Sequence, residues 1–379
     1  MTSAEVGPLE LLVIQPTPFC NLDCSYCYLP DRQNTRKMSP ETLERTFDWA
    51  FASGLVRQPF TLLWHAGEPT VMPAAFYDRA AALLAGHDPE GTLVTQSLQT
   101  NATLIDEEWC ELIRRLKIHI GVSVDGPAFL HDPRRRTRQG AGTLDRVLAG
   151  LRRLQAHGIP LHVITVLTAD ALAYPDELYD FYLENGITDV AFNVEEIEGP
   201  HASSSLRGDE VPGRFRRFLS RFLDLALSAD PPLRVREFEC SAGAAFGGRL
   251  GCGDRVQENK PFAIVNVGCD GAFSTYSPEL LGLSSPRHGT FALGNVLTDS
   301  LASVLSSRRF LALDEEVARG VEMCRQRCRY FAFCGGGPPG NKFFENGTFA
   351  STETLFCRLH KQACLDVALD KLERSKALA

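Results

Sequence analysis

The chain has 379 residues, 44% of them hydrophobic and 23% charged, enough for one large core or two domains. Its net charge of −8 and the lack of a long basic run speak against nucleic acid as the main partner. No apolar run approaches the roughly 20 residues needed to cross a bilayer, which excludes a membrane span.

From Leu9 to about Asn193, short β-rich runs alternate with helical patterns. LELLVIQ reads as the first strand and follows MTSAEVGP, which lacks the basic region of a secretory signal. SPETLERTFDWAFASG reads as a helix with Ser39 as N-cap, Pro40 in the first turn and Gly54 as the stop. The strands TLLWH, TLVTQSLQT, IHIGVSV, LHVITVL and TDVAFNV follow. Between them run the helical patterns PAAFYDRAAALLAG, DEEWCELIRRLK, TLDRVLAGLRRLQAHG and PDELYDFYLENG. Six strands in such a series predict parallel βα units. Six units do not close an eight-stranded barrel, so the expected fold is α/β, a partial (β/α)6 barrel. Ligands in such sheets collect at the C-terminal strand ends.

Domain boundaries are expected at 1–195 for the barrel, 196–251 for a bridging segment and 252–379 for a cysteine-rich C-terminal domain. The bridge contains a polar loop, EGPHASSSLRGDE, and an amphipathic helix, GRFRRFLSRFLDLAL. FAIVNVGCDGAFSTYS alternates around Asp270-Gly271, a hairpin signal, and Asn346-Gly347 gives a second one. The basic cluster RRRTR, Arg134 to Arg138, reads as a solvated loop.

The chain carries 12 cysteines. Without a secretory signal they point to a reducing cytoplasm, where thiols serve as metal ligands more often than as disulfides. CNLDCSYC, right after the first strand, holds Cys20, Cys24 and Cys27. A structural zinc site needs a fourth ligand, yet the next cysteine is Cys110 and the nearest histidine His65. Three is also the wrong number for a local disulfide framework. Three thiolates suit a cubane iron–sulfur cluster with one iron left open. The CxxxCxxC spacing arises by chance roughly 0.01 times in a chain of this composition, so it is informative.

Cys20, Cys24 and Cys27, with Tyr26 before the third cysteine, resemble the signature of radical S-adenosylmethionine (SAM) enzymes. In that family the cysteines hold a [4Fe–4S] cluster whose open iron is chelated by SAM, and one-electron reduction yields a 5′-deoxyadenosyl radical. The resemblance implies further SAM contacts. HAGEPT is similar to the family's GGEP loop, with Ala66 in place of the first glycine, and marks Ala66, Gly67 and Glu68. Gln99, Thr100 and Asn101 end the third strand, and Ser123, Asp125 and Gly126 the fourth.

The C-terminal region resembles the SPASM extension of radical SAM peptide maturases, which usually binds two auxiliary clusters. Cys324, Cys328, Cys334 and Cys357 match the ligands of the second auxiliary cluster; a zinc ribbon is the alternative. The first auxiliary cluster loses two of its cysteines, to Tyr276 and Pro338, with Cys240, Cys252 and Cys269 as irregular substitutes. One auxiliary [4Fe–4S] cluster is therefore expected.

QPTPFCNLDCSYCYLPDR, WHAGEP, FNVEEIEG and FSTYSPELLG are most like maturases of the GrrM/OscB type. That likeness implies a cyclophane crosslink, joining an aromatic ring carbon to the β-carbon of a nearby residue in a ribosomal precursor peptide. It also implies a one-electron donor such as flavodoxin or ferredoxin. Restoring aromaticity requires a proton acceptor near the barrel mouth, for which Glu195 and Glu196 are the candidates. Rival readings are a thioether-forming or sulfatase-maturing radical SAM enzyme and a non-enzymatic zinc or iron–sulfur scaffold. In sulfatase-maturing enzymes an aspartate follows the first auxiliary-cluster cysteine, where this chain has Ser277. With little sequence before Leu9, leader recognition is expected to use the bridge, the C-terminal region or another protein.

Overall fold

The structure is a computed structural model and describes residues 6–245 and 255–377. Its first half alternates strand and helix. The order is β1 (Leu11–Ile14), α1 (Pro40–Ala52), β2 (Phe60–Trp64), α2 (Ala74–His87), β3 (Val94–Thr100), α3 (Glu107–Leu116) and β4 (His119–Ser123). A short α4 (Ala128–His131) then precedes α5 (Leu144–Ala156), β5 (Leu161–Leu167), α6 (Pro175–Glu184) and β6 (Asp189–Val194).

Local chemistry explains these boundaries. Ser39 caps α1 by accepting a hydrogen bond from the Thr42 N–H at 3.0 Å, and Gly54 follows its end in the left-handed region. Asp106 caps α3 by accepting from the Trp109 N–H at 3.0 Å. Strands β1 to β6 pair in parallel, each with the next, from Leu11 opposite Thr61 to Leu167 opposite Val194. This is the open parallel α/β sheet expected of six βα units.

The second half begins with α7 (Val211–Ser228), β7 (Arg234–Val235) and α8 (Arg236–Ala245). Then follow β8 (Ile264–Val267), β9 (Ala272–Thr275), the small ribbon β10 (Ser284–Ser285) and β11 (Gly289–Thr290), and β12 (Gly294–Asn295). The chain ends in α9 (Leu301–Leu305), α10 (Arg308–Arg327), α11 (Phe331–Cys334), α12 (Pro339–Asn346), a π-helical stretch Cys357–Ala363, and α13 (Cys364–Ala377).

Strands β8 and β9 form the hairpin expected around Asp270-Gly271. This hairpin does not stand apart from the barrel. β8 pairs in parallel with β1, placing Leu11 between Thr61 and Ile264, and the sheet runs β12-β9-β8-β1-β2-β3-β4-β5-β6-β7. All four residues of β8 are buried, which an exposed edge hairpin would not allow. One hydrophobic cluster accordingly extends from Val6 through the barrel to Val367 of α13.

Asn346-Gly347 is a correction to the second hairpin. Gly347, at φ +75°, closes α12, and its N–H donates to the Phe343 carbonyl at 2.8 Å. A left-handed glycine after a helix satisfies orphan carbonyls, a role that the same dipeptide fills as readily as a hairpin turn.

Candidate functional site

Cys20, Cys24 and Cys27 lie on the loop that leaves β1 at its C-terminal end, and all three line one cavity of about 250 Å³. The loop is held from several sides. The Arg138 guanidinium donates to the Cys20 carbonyl through Nε at 2.9 Å and Nη2 at 2.6 Å. Arg32 donates to the Cys24 carbonyl at 3.1 Å. Backbone N–H groups of Asp23 and Ser25 reach the carbonyls of Arg136 and Arg134 at 2.8 and 2.9 Å. The Arg134–Arg138 cluster is thus a clamp on the cysteine loop rather than a solvated loop.

Beneath it lies a buried ion pair. Arg135 grips Asp125 with Nε at 3.0 Å and Nη2 at 3.1 Å, and Asp125 also accepts from the Tyr26 hydroxyl and the Val166 N–H. Burial pushes the Asp125 carboxyl up, but the Arg135 guanidinium outweighs it and holds the group below the usual carboxylate range. Asp125, expected among the SAM contacts, is therefore engaged by Arg135, Tyr26 and β5, and does not line the cavity.

The loop after β2 approaches the cysteine loop closely. A Cβ on Gly67 would meet the Thr17 carbonyl oxygen at 2.4 Å and that of Phe19 at 2.6 Å. Ala66 before it also sits at positive φ, +66°, and does not line the cavity. Glu68 is 1% exposed; its carboxylate accepts from Thr70 N and Oγ1, Thr100 Oγ1 and the Asn101 N–H at 2.6–3.0 Å. Burial outweighs these bonds and raises its pKa. The side chain ties β2 to the end of β3 and leaves mainly backbone groups to meet a ligand. Glu68 itself lines the cavity, as do Gly67, Gln99, Thr100, Asn101, Ser123 and Tyr26.

The far wall is acidic. Glu195 accepts from the Ser205 N–H at 2.6 Å and its hydroxyl, with His201 at 3.6 Å. Glu196 lies by Glu198 and Glu279, all lining the cavity, and Asn341 Nδ2 donates to Glu196 and, at 3.5 Å, to Glu198. Burial, opposed by Asn341 and reinforced by Glu279, pushes Glu196 up to about 7, and burial beside Glu196 raises Glu198 as well. The sequence reading missed Glu198 and Glu279; the EEIE run carries a signal for the former, whereas Glu279 arrives from the β9 side of the sheet. His65, lowered to about 4 by burial, is a neutral partner for the Tyr28 hydroxyl at 3.1 Å.

A second cavity, about 260 Å³, is lined by Cys324, Cys328, Cys334 and Cys357. Gly335, Gly336 and Gly337 follow Cys334 with φ of +60°, +98° and +68°, a path that only glycine follows freely, pinned by Asn259 Nδ2 on the Gly335 and Gly337 carbonyls. Among the described residues, Cys240 and Cys269 lie on separate elements. Cys240 is on α8, Cys269 at the β8–β9 turn, and Cys252 lies outside the described residues. The Tyr276 hydroxyl donates to Asp314 at 2.7 Å, and Asp314 pairs with Arg255. Pro338 lines the second cavity at the N-terminal end of α12.

Both cysteine sets fit a multi-iron group. Burial pushes the Cys20 thiol up to about 12 with Glu68 adding to it, Cys24 up to about 11, and Cys357 up to about 12 with Cys334 adding to it. Thiols so placed ionise only when cations bind them. Among the described residues no three Cys, His, Asp or Glu side chains converge on a single-ion site.

A parallel sheet with three cysteines at the mouth of its first strand defines the class, and comparison with known proteins agrees. Residues 14–196 match the model of the radical SAM superfamily. The chain is 43% identical to the uncharacterized protein sll1766 of Synechocystis sp. (strain ATCC 27184 / PCC 6803 / Kazusa) over 378 residues, 98% of this chain and 94% of that one. It is 26% identical over 357 residues to a serine-type anaerobic sulfatase-maturating enzyme of Bacteroides thetaiotaomicron, covering 89% and 84% of the two chains. The fold matches native anSMEcpe with bound AdoMet and Cp18Cys peptide, at TM-score 0.78 and 20% identity, over 97% of this chain and 99% of that one. Residues 14–196 form a radical SAM superfamily domain. Its cofactors are accordingly SAM and [4Fe–4S] clusters. No described helix is long and apolar enough to cross a membrane.

Proposed function

We propose that the chain is a cytoplasmic radical SAM peptide maturase that installs carbon–carbon cyclophane crosslinks in a ribosomal precursor peptide with aromatic residues. The observation that carries this reading is one cavity shared by the thiols of Cys20, Cys24 and Cys27 and the carboxylates of Glu196, Glu198 and Glu279. Cys20, Cys24 and Cys27 would hold the cluster, which with SAM would supply hydrogen-atom abstraction from an unactivated side chain.

The protein's own groups do the rest. Tyr26, Gly67, Thr100, Asn101 and Ser123 line the cavity where SAM would lie, while Asp125 and Arg135 hold Tyr26 and the cysteine loop in place. The acids face the peptide side. A ring that has gained a carbon–carbon bond loses one electron and one proton to become aromatic again; Glu196, in reach of Glu198, takes the proton, and the auxiliary cluster that Cys324, Cys328, Cys334 and Cys357 would hold would accept the electron. Glu195, engaged by Ser205 and His201, positions the segment instead. In the second cavity Cys324, Cys328, Cys334 and Cys357 are assigned to one auxiliary [4Fe–4S] cluster. A flavodoxin or ferredoxin is the expected one-electron donor. The domain limits 1–195, 196–251 and 252–379 are kept as functional regions that share one sheet.

Incubation with SAM, dithionite and an aromatic-rich candidate precursor should give 5′-deoxyadenosine and a peptide lighter by two hydrogens per crosslink, with tandem mass spectrometry placing the link on an aromatic ring. A product linked through sulfur overturns the cyclophane assignment. A second reading, oxidation of a serine or cysteine side chain, is favoured by the similarity to the sulfatase-maturating enzyme. It is also favoured by Glu279, which brings a carboxylate into the cavity from the segment where Ser277 stands. An aldehyde product trapped by hydrazine would select it.

A further inference from the structure

Lys342 of α12 is 4% exposed and lines the Cys324/Cys328/Cys334/Cys357 cavity. Its Nζ donates to the Gly320 carbonyl oxygen at 3.0 Å, on the turn of α10 that precedes Cys324. Among the described residues it has no carboxylate partner. Nearby acids are committed elsewhere: Glu345 accepts from the N–H groups of Leu355 and Phe356, Glu316 faces His288 and Arg287, and Glu353 faces Arg358. A buried ammonium with no counter-charge is costly, and the charge that remains for it is that of the four cysteines.

We infer that Lys342 is the built-in counter-ion of the C-terminal four-cysteine cluster and biases that cluster toward its reduced form. The inference rests on the assignment of an auxiliary cluster to this cavity. Reduction adds one electron and no bond breaks, so the group becomes more negative by one unit, and a fixed cation in a dry wall favours that state. Arg327 also lines the cavity but is exposed, where water and salt screen it. Lys361, half-buried, is the natural comparison.

The test uses full-length protein carrying Cys20→Ala, Cys24→Ala and Cys27→Ala, so that one cluster remains. Dithionite titration followed by electron paramagnetic resonance then compares Lys342 with Lys342→Gln, which keeps a donor for Gly320, and with Lys342→Arg, which keeps the charge. Lys342→Gln should lower the equilibrium constant for reduction about tenfold, a shift of about 59 mV for one electron. Lys342→Arg should stay near the parent, and Lys361→Gln should shift less. A Lys342→Gln midpoint equal to the parent's, with iron content intact, overturns the inference. Iron lost from Lys342→Gln but kept in Lys342→Arg supports the counter-ion role; iron lost from both overturns it in favour of a packing role. If the parent triple variant itself binds no iron, it is the auxiliary-cluster assignment that fails.

Discussion

Ala66 and Gly67 are neighbours with opposite tolerance. Both have positive φ, and a Cβ on Gly67 would run into backbone, the carbonyls of Thr17 and Phe19, whereas Ala66 already carries its Cβ. Gly67→Ala should cost at least about 2 kcal/mol, since neither carbonyl can yield without moving the cysteine loop. Ala66→Gly should stabilise by about 0.5–1 kcal/mol through relief of a left-handed alanine, partly offset by unfolded-state entropy. Thermal unfolding of the two variants checks both signs. Glu196 gives a pH prediction. Its carboxyl is raised to about 7, so the proton-accepting form is lost as pH falls below 7, and turnover should fall with it. The same raised value favours the protonated folded state, so its contribution to stability is present at low pH and lost as pH rises from the usual glutamate value through 7. Glu196→Gln should abolish the acidic limb of the rate profile and slow turnover by about 10²-fold or more.

Among elements, the loop after α4 shows what the sequence could and could not carry. Apart from the short α4, the strands and helices up to β6 were legible because hydrophobic period and caps are local. Ser39, Gly54 and the β-branched-rich run LHVITVL each announce their own structure. The use of Arg134–Arg138 is tertiary: Arg135 meets Asp125 of the β4 end, and Arg138 meets Cys20 from over a hundred residues away. No pattern in RRRTR states that. Asp125 was likewise visible as a polar strand-end residue, but its engagement by an arginine was not. Asp125→Asn should leave Arg135 buried and unpaired and cost about 3–5 kcal/mol. Because the ion pair also holds Tyr26, the variant should retain less iron at the N-terminal site than at the C-terminal one, read from total iron and spectra after reconstitution.

At the scale of the whole molecule, the sheet does not stop where the βα pattern stops. Strand β8 was readable as half of a hairpin, but its parallel pairing with β1 depends on which edge is left open by the fold, and local signals do not encode that. Without β8, the edge of β1 would present unpaired backbone groups beside an apolar core. A chain ended after residue 245 should therefore be insoluble or aggregate, while the full chain elutes as a compact species in gel filtration. Recovery of a soluble, folded barrel from the shorter chain would show the edge to be dispensable.

The pairing of Leu11 with Ile264 also orders events during synthesis. The first strand leaves the ribosome early, with Cys20, Cys24 and Cys27 directly behind it, and waits for its second neighbour until nearly three-quarters of the chain has been made. Such non-local closure is slow, and the nascent edge is exposed meanwhile. The thiols are thus made first and housed last, open to oxygen through most of translation. Iron can be inserted into a finished cradle only after β8 has emerged, which puts assembly of the centre late in synthesis or after it and makes its yield a matter of how anaerobic, and how brief, the preceding interval is.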